Sequence, residues 1–135
     1  MKTVFLDANT LYSASLYPRS ELASMIASGK ANFVTTRYAI AEADRNLAPE
    51  QRASLTRLFP ALRIVPDAFG PPPVFLPGKD IPILASAALC DADILLTGDH
   101  THFGRCFGQT IGGVKIVRTG DLGLELEHPP GHAPA

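Results

Sequence analysis

The run DILLT, Asp93 to Thr97, constrains the fold most. Its centre is apolar on successive residues, so both faces of the strand it forms must be covered. A strand apolar on both faces belongs in the middle of a parallel sheet, where helices cover each side. The N-terminal run KTVFL, Lys2–Leu6, is β-rich in the same way, and NFVT, Asn32–Thr35, reads as another strand. RIV at Arg63–Val65 and VKIVR at Val114–Arg118 complete a set of four to five strands.

Helical segments separate these strands. Asn9–Leu16 suits a short helix that Pro18 ends, and Ser20 caps ELASMIASG, which stops at Gly29. RYAIAEADRNL, Arg37–Leu47, carries Ala39, Ile40, Ala43 and Leu47 at a helical period. Pro49 fits the first turn of PEQRASLTRLF, which places Leu55, Leu58 and Phe59 on one side. Asp67–Lys79 is rich in proline and glycine and reads as a loop. Asp80–Cys90 is almost wholly apolar after its first residue and reads as a buried helix, with Cys90 in the core. Alternation of strands and helices predicts an α/β fold, a three-layer α/β/α sandwich around a mostly parallel sheet. The 135 residues suit a single domain over 1–126, with a proline-containing tail at 127–135.

Charge and cysteines narrow the function classes. The net charge of −1 neither requires nor excludes nucleic acid, since a local basic patch suffices. Two cysteines, Cys90 and Cys106, make neither a disulfide framework nor a zinc signature. No signal sequence and no apolar run long enough for a membrane span is present, so a cytoplasmic protein without membrane attachment is expected. Around Gly29-Lys30, Ser24 and Ala31 stand where a phosphate-binding loop needs glycine and a hydroxyl. Neither a dinucleotide-binding glycine pattern nor a nucleophile elbow occurs. A phosphotransfer receiver domain is disfavoured because Lys115 begins its strand, at the rim opposite an acid that ends one.

The acids fall into a pattern. Ligand sites in such sheets lie beyond the carboxyl ends of the strands. Asp7 follows the first strand, and Asp99 follows the DILLT strand in the turn TGDH. Asp80 begins the helix that feeds that strand, and Glu42 lies inside the helix after the second. Strand ends and helix starts share one rim, so these acids can converge. Each has a simpler local role: Asp7 and Asp80 as caps, Asp99 as a turn residue, Glu42 on a solvated face paired with Arg45. Joint placement is what those roles do not explain. Carboxylates about 4 Å apart repel by on the order of 4 kcal/mol per pair at an effective dielectric of 20. A cation relieves this, and an all-oxygen set suits Mg²⁺ or Mn²⁺.

The stretches VFLDANTL, AIAEADRNL and KDIPILASAALCDADILLTGDHTHFG resemble the motifs of the PIN-domain nucleases, over roughly residues 2–119. The resemblance implies a PIN-like sandwich and a Mg²⁺- or Mn²⁺-dependent endoribonuclease that hydrolyses single-stranded RNA. It carries Asp7, Glu42, Asp80 and Asp99 over as catalytic, metal-binding acids. Asn9 matches the family's small polar residue after the first acid, and Thr97 the hydroxyl before the last. His100, Thr101 and His102 occupy a stretch where some members carry a further acid. Many small members are toxins of type II toxin–antitoxin pairs, as the VapC group is, so a homodimer and a cognate antitoxin are implied partners.

Substrate contacts follow from charge. Between Arg37 and Arg63 there are five arginines against three acids, and Arg37 and Arg45 flank Glu42. Two alternatives stay open: a non-catalytic RNA- or protein-binding module of the same fold, and a metal-dependent DNA nuclease. Bare carboxylates gain nothing for a module that only holds anionic RNA, whereas nothing in the sequence reads a 2′-hydroxyl.

Overall fold

The computed structural model describes residues 1–67, 86–88, 90–98, 103 and 106–127. Strand β1 is Thr3–Leu6, and its last three residues are buried. Asp7 caps helix α1, Ala8–Leu16, in extended backbone geometry with φ −81° and ψ 174°. A three-residue break, Tyr17, Pro18 and Arg19, leads to Ser20, whose Oγ accepts the Ala23 N–H at 3.1 Å and caps helix α2, Glu21–Ala27. Gly29, at φ +74°, supplies the left-handed residue that ends this helix.

Strand β2, Asn32–Thr35, leads through the cap Thr36 into helix α3, Arg37–Arg45. Thr36 Oγ1 accepts the Ala39 N–H at 3.2 Å. This helix stops two residues short of the expected Leu47, although Leu47 is itself buried. Helix α4, Pro49–Leu58, starts on Pro49, and Gln51 Oε1 accepts the Ala48 N–H at 2.8 Å. A 3₁₀ turn at Phe59–Ala61 then delivers β3, Arg63–Ile64. Phe59 does not join Leu55 and Leu58 in the core: the turn swings it outward, to 40% exposure. With Ile40 and Ile64 it lines a groove of about 540 Å³ between α3 and α4.

The central strand is β4, Ile94–Thr97, buried at every residue as its sequence demands. Asp93, expected to begin it, instead caps the sheet edge: its Oδ2 accepts the Thr3 N–H at 2.8 Å. Strands β5, Thr110–Ile111, and β6, Val114–Arg118, form a hairpin. Gly112 and Gly113, both at positive φ (59° and 82°), make the two-residue turn that hairpins favour. A 3₁₀ turn, Thr119–Asp121, precedes helix α5, Leu122–Leu126.

Among the described residues the sheet has six strands in the order β3-β2-β1-β4-β6-β5, rather than the four to five expected. All neighbours are parallel except β5 and β6. The additional strand is β5, too short to announce itself by periodicity. Helix α1 packs on α3 and α4, so the crossovers between β1, β2 and β3 lie together on one face. The return from β3 to β4 runs in the opposite direction along the sheet. Its described part is helical at 86–88, with Ser86 and Ala87 fully buried.

The core lies on both faces of the sheet. Phe5, Leu6, Phe33, Leu95 and Ile116 are at most 2% exposed. The apolar residues Leu11 and Ile26 are consumed by this core, and Leu16 and Leu22 pack against it, so they present no surplus apolar face. Cys90, expected in the core, packs at its margin. Cys106 is buried, while Cys90 is only half-buried and donates from Sγ to the Ala87 carbonyl at 3.4 Å. Burial still pushes the Cys90 thiol up from its ordinary value, which keeps it in the unreactive form. Of the predicted loop 67–79 only Asp67 is described, and of the tail 127–135 only Glu127.

Candidate active site

Strand order fixes where a ligand would sit. From β1 the chain progresses one way through β2 and β3, then returns to β4 on the other side of β1. The crevice at the carboxyl ends of β1 and β4 is therefore the topological switch point. Asp7 stands at the β1 side of it, one residue past Leu6.

Asp7 is 5% exposed. Its Oδ1 accepts the Thr10 backbone N–H at 2.8 Å, the expected capping bond of α1. The structural and chemical roles weighed for this acid are thus compatible, because the capping bond engages one carboxylate oxygen and fixes the plane of the group. Two hydroxyls, not singled out in the sequence, hold its surroundings. Thr10 Oγ1 donates to the Leu96 carbonyl at 2.9 Å and ties the first turn of α1 to β4. Thr35 Oγ1 donates to the Leu6 carbonyl at 2.8 Å and ties β2 to the residue before Asp7. Both threonines are fully buried. A hydroxyl at the third helical residue, or at the end of an apolar strand, is the signal that would have found them.

Register places Thr97. Leu6 pairs with Leu96 across β1 and β4, so the next step sets Asp7 opposite Thr97. Parallel neighbours lie about 4.8 Å apart, so the fully buried Thr97 adjoins Asp7. Asn9 lies in the first turn of α1 and is exposed. Its side-chain oxygen lies against Gly98, just beyond β4.

Glu42 is half-buried on α3, beside the fully buried stripe of Ala39 and Ala43 that packs toward α1. The sixth residue of a helix lies about 7.5 Å along its axis from the first, so Glu42 is more than one turn below the rim where α3 begins. The expected pair of Glu42 with Arg45 is not formed among the described residues. Asp44 instead meets Arg52 at 3.5 Å, between side chains about half exposed. Arg37 and Arg45 are exposed, and neither forms an ion pair with a described residue. Tyr38 is half-buried against the core, the ordinary place for an aromatic on an apolar stripe.

Asp80, Asp99, His100 and His102 lie outside the described residues. Among the described residues no three acids, histidines or cysteines gather closely enough to hold a metal ion. The described half of the acidic set is Asp7 at the switch point and Glu42 on the neighbouring helix. As a donor set for a hard divalent cation these groups fit: a buried, oriented carboxylate, with carboxamide and hydroxyl oxygens around it.

Comparison with known proteins decides the fold. No protein-family model matches the sequence, and no curated protein matches it. Among solved structures, a chain of VapBC2 from Rickettsia felis, crystallised bound to a DNA fragment from their promoter, superposes with a TM-score of 0.63. The match covers 86% of this chain and 98% of that one, at 13% identity. The described residues thus share the fold of that VapBC2 chain, a PIN-like α/β/α sandwich. In this PIN-like sandwich the β1–β4 crevice with Asp7 is the switch point that the order of the described strands creates. No helix among the described residues is long and apolar enough to cross a membrane.

Proposed function

We propose that the protein is a Mg²⁺- or Mn²⁺-dependent nuclease that hydrolyses phosphodiester bonds of single-stranded RNA. The observation that carries this reading is Asp7, a buried carboxylate oriented by the α1 cap at the switch point of a PIN-like sheet. A helix cap does not need that position; a ligand-binding acid does.

In this reading Asp7, Asp80 and Asp99 hold the cation, and Glu42 shares it or orients the attacking water. The ion, when bound, lowers the pKa of a water and neutralises charge that develops on the phosphate. Thr97 beside Asp7, and Asn9 over the end of β4, keep the carboxylates in a fixed orientation by hydrogen bonding. Arg37 and Arg45, exposed and without described acidic partners, face solvent as cations and supply phosphate contacts for RNA.

The same reading makes the chain the toxin of a type II toxin–antitoxin pair, acting as a cytoplasmic homodimer. What supports a protein partner is that the superposed chain belongs to a VapBC2 assembly crystallised with promoter DNA. The antitoxin would then be a small DNA-binding protein whose complex with this chain suppresses cleavage.

The deciding experiment is incubation with labelled single-stranded RNA and Mn²⁺, with and without chelator, alongside single-stranded DNA. Wild-type protein should cut RNA only with metal present. The Asp7→Asn and Asp99→Asn proteins, purified identically, should be inactive. Full, chelator-sensitive activity in Asp99→Asn would remove that residue from the site. Binding without cleavage would point to a non-catalytic module, and preferential cutting of DNA to a deoxyribonuclease.

A further inference from the structure

Gly98 separates the buried Thr97 from Asp99, and its glycine is not explained by its backbone. The glycines that need positive φ are Gly29, Gly108, Gly112 and Gly113, at 74°, 82°, 59° and 82°. Gly98 is not among them, so an L residue fits its backbone. What it lacks is room. A Cβ at position 98 would stand 2.8 Å from Asn9 Oδ1, closer than real Cβ atoms approach other heavy atoms, and among the described residues other than its chain neighbours only Asn9 Cγ also comes within 4 Å.

The two sides of this contact differ in how far they can yield. The backbone of α1 is pinned at its first turn by the Asp7 cap and by the Thr10 hydroxyl on Leu96. Asn9 is exposed, and its carboxamide turns about two side-chain bonds. A methyl group at position 98 therefore displaces the Asn9 carboxamide and leaves the helix in place.

We infer that Gly98 is a positioning residue: its missing side chain leaves the space in which the Asn9 carboxamide lies across the β1–β4 crevice. Asn9 and Gly98 then act as one unit, reaching from the helix that Asp7 caps to the residue before Asp99. The consequence for metal affinity rests on the nuclease reading above; the packing of Asn9 on Gly98 does not.

The test compares wild type with Gly98→Ala, Asn9→Ala and the double variant. Two quantities are read: the Asn9 side-chain amide resonance by NMR, and Mn²⁺ affinity by electron paramagnetic resonance of the free ion. Gly98→Ala should unfold at the wild-type midpoint, shift the Asn9 amide peak, and weaken Mn²⁺ binding roughly 10-fold, the usual cost of disturbing a group that orients metal ligands. Asn9→Ala should weaken it similarly, and the double variant no further than either single change. Losses that multiply in the double variant, or wild-type Mn²⁺ affinity in Gly98→Ala, overturn the unit. An unmoved Asn9 peak in Gly98→Ala overturns the packing itself. If Gly98→Ala alone fails to fold, removing Asn9 in the double variant should restore folding; failure of both shows that the backbone, not the space, requires glycine. A wild-type protein that neither binds Mn²⁺ nor cuts RNA sinks the nuclease reading, while the amide peak still decides the packing.

Discussion

Asp7 shows how one side chain can serve two ends. Its capping bond to Thr10 orders α1, and the same bond orients the carboxylate at the crevice. The two roles separate by substitution. Asn caps a helix about as well as Asp, whereas Ala costs roughly 1 kcal/mol. Asp7→Asn should therefore keep wild-type stability in urea yet lose metal-dependent cleavage, while Asp7→Ala should lose both. Retained cleavage in Asp7→Asn would leave Asp7 as a cap alone. Thr10 gives a second expectation. Thr10→Val preserves shape but removes the buried bond from the hydroxyl to the Leu96 carbonyl, so stability should fall by about 1 kcal/mol. An unchanged urea midpoint would show that this carbonyl finds another donor. Asp7 was legible in the sequence because a charged residue that ends an apolar run stands out. Thr10 and Thr35 were not, since a hydroxyl that bonds a distant carbonyl looks locally like any small polar residue. Gly98 was hidden for the same reason: glycine in a turn normally signals backbone freedom, and here it marks close approach.

Among the elements, α3 most directly couples packing to the site. Ala39 and Ala43 are at most 1% exposed, and such small residues allow α1 to approach closely. Glu42 sits next to Ala43 in the chain, so the spacing between these helices sets how far its carboxylate reaches. Ala43→Leu forces extra volume into that contact and should cost about 1–3 kcal/mol. Chemical denaturation checks the cost, and cleavage per folded molecule, in the nuclease reading, should fall with it; wild-type stability would mean the α1–α3 contact has slack. The sequence announced α1 to α4 and the strands β1, β2, β4 and β6 because each carries a cap or a sustained apolar pattern, and β3 through the adjacent apolar pair Ile64-Val65. The hairpin strand β5 has two residues, and α5 only five, too few for periodicity to register. What did mark the hairpin was Gly112-Gly113, a turn pair whose meaning depends on strands flanking it. Helix α5 is held largely by tertiary contacts: Leu122 is buried, and Glu125 meets Lys115 at 2.7 Å.

At the scale of the whole molecule, the strand order turns distant residues into neighbours. β1 and β4 are separated by most of the chain, yet Leu6 and Leu96 are register partners. This pairing puts Asp7 at the β1–β4 crevice, and local sequence cannot reveal that without the alternation of strands and helices that implies a parallel sheet. Among the described residues the core that builds this sheet centres on Phe5, Phe33, Leu95 and Ile116, side chains that offer an ion no ligand. Folding should therefore not require metal. A cation that binds only the folded chain, however, stabilises it by mass action, by about 1.4 kcal/mol at ten times its dissociation constant. For a chain of this size that raises the unfolding midpoint by roughly 3–6 °C. In the metal-dependent reading, wild type should show this rise in saturating Mn²⁺ and lose it on chelation, while Asp7→Asn should melt at one temperature with or without the ion. Calorimetry distinguishes the possibilities without reference to any substrate. A rise of equal size in Asp7→Asn would place the ion away from the switch point. No rise in wild type would overturn cation binding at the switch point, and Asp7 would stay in the crevice as the cap of α1.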